Sequence, residues 1–250
     1  MRLRPSLYIL PILLAVLGGC ASRGPALERM DADALFARGV EQLANRKWSD
    51  AADAFRRLAL VYPNDPRAQE ARFRLGESYQ GRREWVTAAL EFNRLVTDYP
   101  ASPWAERARY QACRSYHELS PRAQLDQEYT HVAIEHCRAL ALHYPNGEFT
   151  PRAREIVEEL TNRLAEKEYL AAAHYFNRRA LDSAIVYYQV ILADYPATVW
   201  APRALLRMYQ AYERLGYEQE MTSTRERLLR DYPASAEARQ LAGTEAGSGP

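Results

Sequence analysis

Small, aromatic and proline residues recur along this chain at the spacing expected for pairs of packed helices. The clearest unit spans residues 69–100 and carries them, in chain order, at Gly76, Tyr79, Ala88, Phe92 and Pro100. The set returns about 37 residues earlier as Gly39, Ala51, Phe55 and Pro63, and a period of this size is typical of stacked helical repeats. Apolar positions three and four residues apart place one face of each helix toward a neighbour. The pattern therefore predicts consecutive helix pairs.

A Tyr-Pro pair closes each unit and occurs at Tyr62-Pro63, Tyr99-Pro100, Tyr144-Pro145, Tyr195-Pro196 and Tyr232-Pro233. Proline lacks an N–H and biases the preceding residue away from helix, so each pair should end the second helix of its unit. The small, aromatic and proline offsets resemble those of the tetratricopeptide repeat. The resemblance implies an all-α, tetratricopeptide-like α-solenoid of five helix pairs, in which each repeat contacts only its neighbours.

The repeats divide the chain into five segments. We predict a lipoprotein signal peptide at residues 1–19, a lipidated tether at 20–31, repeats one to three at 32–145, repeats four and five at 146–240, and a disordered tail at 241–250. Repeat three has a longer connection between its helices. Repeat four has neither proline nor glycine from Arg152 to Tyr195, which predicts one long helix to about Arg178, then a turn and a second helix.

Local signals predict where several helices begin and where they cross. Asp31 or Asp33 is expected to cap the first helix, and Ser49-Asp50 its partner. Ser102-Pro103 places a cap before a proline at the first helical position of repeat three. In repeat two, the small residues Gly76 and Ala88 mark the expected closest approach of the two helices.

The first twenty residues have the features of a secretory leader. Arg2 and Arg4 precede an apolar run over residues 7–17, which is too short to span a membrane. The run ends in Leu17-Gly18-Gly19-Cys20, which resembles a lipobox, and this implies that Cys20 becomes lipid-modified and N-terminal. Residue 21 is alanine rather than the aspartate linked to inner-membrane retention. We therefore expect a chain anchored by lipid to the outer membrane, on its periplasmic face.

Composition and charge exclude several function classes. The chain is 48% hydrophobic and 26% charged, with a formal net charge of +1, so nothing favours nucleic acid as a partner. No phosphate-binding glycine loop, nucleophile elbow or zinc-protease motif occurs. Acidic pairs such as Glu158-Glu159 lie among arginines and are best explained as solvated helix faces. We predict no enzymatic activity and no cofactor.

Cys113 and Cys137 occupy facing positions of the packed helices in repeat three. The oxidising compartment permits a disulfide between them, although cysteine is often buried as a free thiol, and we favour two buried free thiols. With His117 one turn after Cys113 a zinc site can be imagined. A structural zinc site requires four ligands, no fourth is placed, and we predict no metal.

The first helices of the repeats are expected to line the concave side of the solenoid. The residues predicted there to bind partners are Phe36, Phe73, Glu77, Arg107, Tyr110, Arg114, His117, Tyr169 and Phe176, with Val40, Leu43 and Gln80 beside them. Aromatic side chains with a few arginines suit an extended peptide, whose carboxylate Arg107 or Arg114 would bind. Several of these residues could instead pack between repeats, as aromatic residues at helical spacing usually do.

Two segments carry a more specific resemblance: Leu125-Asp126-Gln127 with Thr130, and residues 162–169. Together with the lipobox and the five repeats, they resemble the lipoprotein subunits of the outer-membrane β-barrel assembly machine. The resemblance implies a scaffold whose C-terminal repeats bind the periplasmic domains of the barrel subunit. It also implies contacts with other assembly lipoproteins, and a groove in repeats one to three for targeting peptides of unfolded outer-membrane proteins. Another periplasmic repeat lipoprotein, acting as a cell-envelope adaptor, remains the alternative.

Overall fold

The computed structural model describes residues 27–246. The predicted signal peptide, the predicted lipidation site Cys20 and the first part of the tether lie outside the described residues. The described part of the chain is all-helical. Its helices are α1 (Ala32–Ala44), α2 (Trp48–Val61), α3 (Ala68–Gly81), α4 (Trp85–Asp98), α5 (Ala105–Leu119), α6 (Glu128–His143), α7 (Thr150–Asn177), α8 (Leu181–Asp194), α9 (Trp200–Leu215), α10 (Glu218–Asp231) and α11 (Ala236–Ala246).

Ten of these helices form five antiparallel pairs, and each helix packs mainly against its neighbours in the chain. The all-α solenoid predicted from the repeat pattern is therefore confirmed. Its buried side chains form successive clusters along the stack rather than one central core. The final helix α11 packs on α9 and α10, and its Leu241 is buried. The tail predicted to be disordered from residue 241 is thus helical to Ala246.

The crossing of the two helices in repeats one and two is filled by a phenylalanine ring against a glycine. A Cβ atom added at Gly39 would lie 2.5 Å from the Phe55 ring, and one added at Gly76 would lie 2.5 Å from the Phe92 ring. Both rings are fully buried. Gly76 is needed for close approach as predicted, but its partner at the crossing is Phe92 rather than the expected Ala88.

Repeat three places cysteines at this crossing. Cys113 of α5 and Cys137 of α6 are joined by a disulfide, with Cα atoms 5.0 Å apart. Our expectation of two free thiols is wrong, because the facing positions that bury the cysteines also bring their sulfur atoms within bonding distance. Because both sulfur atoms are in the disulfide, neither cysteine offers a thiolate to a metal ion.

Each Tyr-Pro corner ends its helix in the same backbone conformation. The tyrosine lies outside the helical region, with φ of −135° and ψ of 64° at Tyr99 for example, because the proline that follows excludes helix there. Two corner tyrosines also tie successive repeats together. The Tyr99 hydroxyl donates to the Pro63 carbonyl at 3.2 Å, and the Tyr232 hydroxyl donates to the Pro196 carbonyl at 2.8 Å.

The local start signals were only partly correct. Asp31 caps α1 by accepting a hydrogen bond from the Ala34 N–H at 2.8 Å. The second helix starts at Trp48 without a side-chain cap, ahead of the predicted Ser49-Asp50. Ser102 and Pro103 lie in a turn before α5, where the Ser102 hydroxyl accepts from the Trp104 N–H.

Candidate functional site

A large open hollow lies between the first helices of repeats one, two and three. It has a volume of about 870 Å³, and we call it the N-terminal groove. Its walls are formed by Phe36, Val40, Leu43 and Ala44 of α1, Glu70, Arg74, Glu77, Gln80 and Gly81 of α3, Gln111 and Arg114 of α5, and the helix-initiating residues Trp48 and Trp85. The expected concave surface therefore exists in this part of the solenoid.

One wall of the N-terminal groove is apolar. Phe36 packs edge-on against Phe55, with ring centroids 6.1 Å apart, and Val40 is 42% exposed. The Trp48 indole lies directly on Gly81, where any Cβ atom would overlap it. Partly exposed aromatic and aliphatic side chains held in this way provide a preformed apolar surface for a ligand.

The opposite wall carries charges that largely compensate one another. Arg74 lies between two carboxylates, donating to Glu77 at 2.9 Å and to Glu70 at 3.2 Å. Burial alone would lower the pKa of Arg74, but the attraction and hydrogen bonds of Glu77 and Glu70 outweigh burial and raise that pKa. Arg74 therefore stays charged and is already occupied by partners within the protein.

Arg114 differs from Arg74 in having no carboxylate partner within ion-pair distance in the described part of the chain. Its guanidinium donates one hydrogen bond, at 3.2 Å, to the side-chain oxygen of Gln111. Gln111 is in turn held by Gln80, whose amide also donates to Ser115 at 2.9 Å. Arg114 thus presents unused donors on a fixed side of the groove, where an anionic group could bind.

Of the nine predicted partner-binding residues, the structure brings Phe36, Glu77 and Arg114 together in the N-terminal groove. Phe73 is fully buried and Tyr110 is 9% exposed. The Phe73 ring packs on Phe92, and Tyr110 stacks on Phe149 with ring centroids 5.0 Å apart. These two side chains stabilise the interfaces between neighbouring helices instead of lining the groove, which is the alternative that aromatic residues at helical spacing left open.

Arg107 and His117 lie on α5 but outside the groove. Arg107 borders a separate hollow of about 390 Å³ beside Trp104, where its guanidinium lies 5.9 Å from the centre of the Phe149 ring. His117 contacts a carboxylate oxygen of Glu159 on α7 at 3.1 Å. His117 thus contacts the long helix α7 rather than the N-terminal groove.

Tyr169 and Phe176 belong to a second concave surface, in repeats four and five. Phe176 is buried, whereas Tyr169 borders a hollow of about 300 Å³ between α7 and α9. Three arginines of α9 lie over aromatic rings at this surface. The distances from guanidinium carbon to ring centre are 4.7 Å for Arg203 over Trp200, 5.2 Å for Arg207 over Phe176, and 4.6 Å for Arg214 over Phe176. We call these three arginines the α9 arginine stripe.

The α9 arginine stripe places three cations on one face of a single helix. Arg203 is 3.6 Å from Glu237, while Arg207 bonds the neutral Gln210 at 3.0 Å. Neither Arg207 nor Arg214 has a carboxylate within 4.0 Å in the region that the structure describes. Stacking on aromatic rings holds these side chains in place without neutralising them.

Sequence reasoning missed several members of both surfaces. Trp48 and Trp85 line the groove, although neither was among the residues predicted to bind partners. The arginines of α9 follow one another at spacings of four and seven residues, so a search for charged side chains on one helix face would have found the stripe. The role of Phe149 could not be predicted from the sequence, because Phe149 precedes α7 and stacks on Tyr110, which is far away in the chain.

Comparison with known proteins gives one family and several relatives. The model of the family described as "YfiO: Outer membrane lipoprotein" matches residues 28–228. A protein of Caulobacter vibrioides named "Outer membrane protein assembly factor BamD" is 26% identical over 222 residues, which is 87% of this chain and 73% of the relative. A protein of the same name from Rickettsia prowazekii is 23% identical over 236 residues, or 94% of each chain.

Solved structures of helical repeats are also similar to the chain. The structure titled "TPR2AB-domain:pHSP90-complex of yeast Sti1" has 16% sequence identity and a TM-score of 0.46, and the match covers 87% of this chain and 86% of that one. None of the helices in the described part of the chain combines the length and apolarity that crossing a bilayer requires.

Proposed function

Because the chain belongs to the YfiO family of outer membrane lipoproteins, we propose that it is a periplasmic scaffold subunit of the machinery that assembles outer-membrane β-barrel proteins. Its relatives in Caulobacter vibrioides and Rickettsia prowazekii carry the name of an assembly factor. The observation that carries the proposal is the N-terminal groove, a largely apolar concave surface on which Arg114 has no carboxylate partner among the described residues. A surface of this kind suits the binding of an extended chain.

The N-terminal groove suits the end of an unfolded barrel protein. Apolar side chains of an extended segment would enter the space between Phe36, Trp48 and Trp85, and a terminal carboxylate would accept hydrogen bonds from Arg114. Glu70 and Glu77, which hold Arg74, would disfavour a second carboxylate on that wall. The proposed ligand is therefore an apolar peptide with a single negative charge at its end.

The test of this ligand compares two arginines of α5 that lie two turns apart. Arg114→Glu should weaken binding of an apolar peptide that ends in a free carboxylate by about tenfold or more, because a charge-assisted hydrogen bond is replaced by repulsion. Arg107→Glu is the matched control, since Arg107 lies outside the groove. An amidated peptide should show little difference between wild type and Arg114→Glu. Equal affinity of wild type and Arg114→Glu for the carboxylate peptide would remove Arg114 from the site.

The C-terminal repeats are proposed to hold the barrel subunit of the machine. The α9 arginine stripe supports this, because Arg207 and Arg214 have no carboxylate within 4.0 Å among the described residues. A folded partner domain with acidic side chains would be complementary to them. Arg207→Glu should reduce co-purification of the barrel subunit from detergent extracts, whereas the exposed Arg152→Glu on α7 should not. Equal recovery of the barrel subunit with wild type, Arg207→Glu and Arg152→Glu would mean that the barrel subunit binds elsewhere.

The anchor and the alternative role are tested in the same extracts. We propose that Cys20 carries the lipid and that the chain is held at the periplasmic face of the outer membrane, where other assembly lipoproteins would also contact it. Cys20→Ser should release the protein into the soluble periplasmic fraction. If the wild-type protein is purified from these extracts without any barrel subunit, the alternative role as another cell-envelope adaptor would be favoured.

A further inference from the structure

The described chain begins beside a small apolar cleft on the outer side of repeat one. The cleft has a volume of about 280 Å³ and is lined by Leu27, Glu28, Asp53, Arg56, Arg57, Leu60 and Val61. It lies away from the N-terminal groove, to which α2 contributes only its first residue, Trp48. The cleft and the groove therefore face different sides of the same repeat.

Large apolar side chains at this cleft are unusually exposed. Leu60 is 70% exposed and Val61 is 48% exposed, although both follow the fully buried Leu58 on α2. Leu27, at the start of the described chain, is only partly buried against the core of the first two repeats. These three side chains form an apolar patch that nothing in the described part of the chain covers.

Charged side chains of both signs, Glu28, Asp53, Arg56 and Arg57, flank the apolar patch. The Arg57 guanidinium donates to the Glu28 backbone carbonyl at 3.2 Å and has no carboxylate within 4.0 Å in the described region. Arg56 is engaged by Asp53 at 2.8 Å, and Arg29 is exposed. Apolar side chains beside an unpaired arginine are complementary to the boundary between acyl chains and phosphate groups of a phospholipid surface.

The length of chain between the proposed anchor and the patch limits how far apart they can be. Cys20 and Leu27 are seven residues apart, so even a fully extended segment spans at most about 25 Å. An acyl chain inserted at Cys20 would therefore keep the cleft close to the bilayer surface. Leu142 of α6 occupies the same position in repeat three that Leu60 occupies in repeat one, since each lies five residues after the crossing residue, Cys137 or Phe55. Leu142 is also exposed, by 78%, but it lies two repeats further from the anchor.

We propose that the outer face of α2 rests on the phospholipid surface beside the anchor, with Leu60 and Val61 in the headgroup region and Arg57 facing lipid phosphates. The proposal rests on the lipid anchor at Cys20 proposed above. Acyl chains already provide the affinity, so the patch sets orientation. It holds repeat one with its outer side toward the membrane and leaves the N-terminal groove open to the periplasm.

The test places a fluorescent label at each of two equivalent leucines. Full-length acylated protein, purified from membranes, is labelled at Leu60→Cys or at the matched control Leu142→Cys and reconstituted into vesicles of phosphatidylethanolamine and phosphatidylglycerol. The chain has three native cysteines, of which Cys20 would be acylated and the other two form the disulfide. A nitroxide quencher is attached to the lipid headgroups.

The label at position 60 should lose most of its emission, and the label at position 142 should keep it. Adding Arg57→Glu should restore emission at position 60 while the protein still floats with the vesicles. Absence of quenching at position 60, or equal quenching at both positions, would overturn the orientation. Protein that fails to float with the vesicles would instead remove the anchor, and the orientation with it.

Discussion

The two concave surfaces of this solenoid are built on equivalent helices but present opposite chemistry. In the N-terminal groove the exposed groups are mainly apolar, and Arg74 is neutralised by Glu70 and Glu77. In the C-terminal surface the aromatic rings are covered by the α9 arginine stripe, whose Arg207 and Arg214 have no acidic partner within ion-pair distance in the described region. One stack of repeats can thus provide two separate binding sites, one for an apolar chain and one for an acidic surface.

The crossing point inside each helix pair also differs between the two regions. Repeats one and two place glycine on the first helix against phenylalanine on the second. At the equivalent positions repeat four has Ala172 and Tyr188, both fully buried, and repeat five has Tyr209 and Arg225. The pairing of glycine with phenylalanine is thus a feature of the N-terminal repeats one and two.

The largest effect should come from the disulfide that lies between these two regions. Replacing both Cys113 and Cys137 by alanine should lower the free energy of unfolding by about 3 kcal/mol, because the cross-link restricts the unfolded chain. Urea unfolding followed by circular dichroism measures the loss. If the two cysteines only filled space, the double variant would unfold at nearly the same urea concentration as the oxidised protein.

A smaller loss should follow when the crossing of repeat two is overfilled. Gly76→Ala should destabilise the protein by about 2 kcal/mol, because the new methyl group meets the buried Phe92 ring and forces it or the helices to move. Gly243→Ala is the matched control, since a Cβ atom there meets nothing within 4 Å. Chemical denaturation compares the two. A stable Gly76→Ala protein would show that the helices can separate without cost.

The two surfaces should also respond differently to salt. Binding of an acidic partner at the α9 arginine stripe should weaken by about tenfold when ionic strength is raised from low to several hundred millimolar, since exposed charges are screened. Peptide binding in the N-terminal groove should change less, because most of its contact area is apolar. Titration calorimetry at two salt concentrations measures both. Equal salt dependence would contradict the assignment of different chemistry to the two surfaces.

The smallest predicted effect is a gain in stability at the turns inside the repeats. Arg46, Arg83 and Arg179 have positive φ angles of 56°, 60° and 63°, at the position that Gly216 occupies in repeat five with φ of 74°. A non-glycine residue in this left-handed conformation is strained by about 1 kcal/mol. Arg83→Gly should therefore raise the free energy of unfolding by up to about this amount, and Gly216→Arg should lower it. Thermal unfolding of the pair would show opposite shifts, and shifts of the same sign would mean that strain at this position is negligible.

Much of the fold could be predicted from the sequence because its information is local and repeated. The Tyr-Pro corners end the helices as expected, since proline acts on its immediate neighbour. The long helix α7 was predicted from the absence of proline and glycine, and it runs from Thr150 to Asn177. The candidate site was predicted less well. Helical periodicity gives the face on which Phe73, Tyr110 and Arg114 lie, but not whether the next repeat covers that face.

The sequence by itself determined the helix pairs, their number and the glycine at the crossing of repeat two. These follow from proline chemistry and from apolar spacing, which act within one repeat. Only the tertiary structure decided that Cys113 and Cys137 are bonded, that His117 contacts Glu159 of α7, and that Arg114 alone of the predicted arginines enters the groove. The reason is that these outcomes depend on distances between helices far apart in the chain, and small rotations between repeats change those distances without changing the sequence pattern.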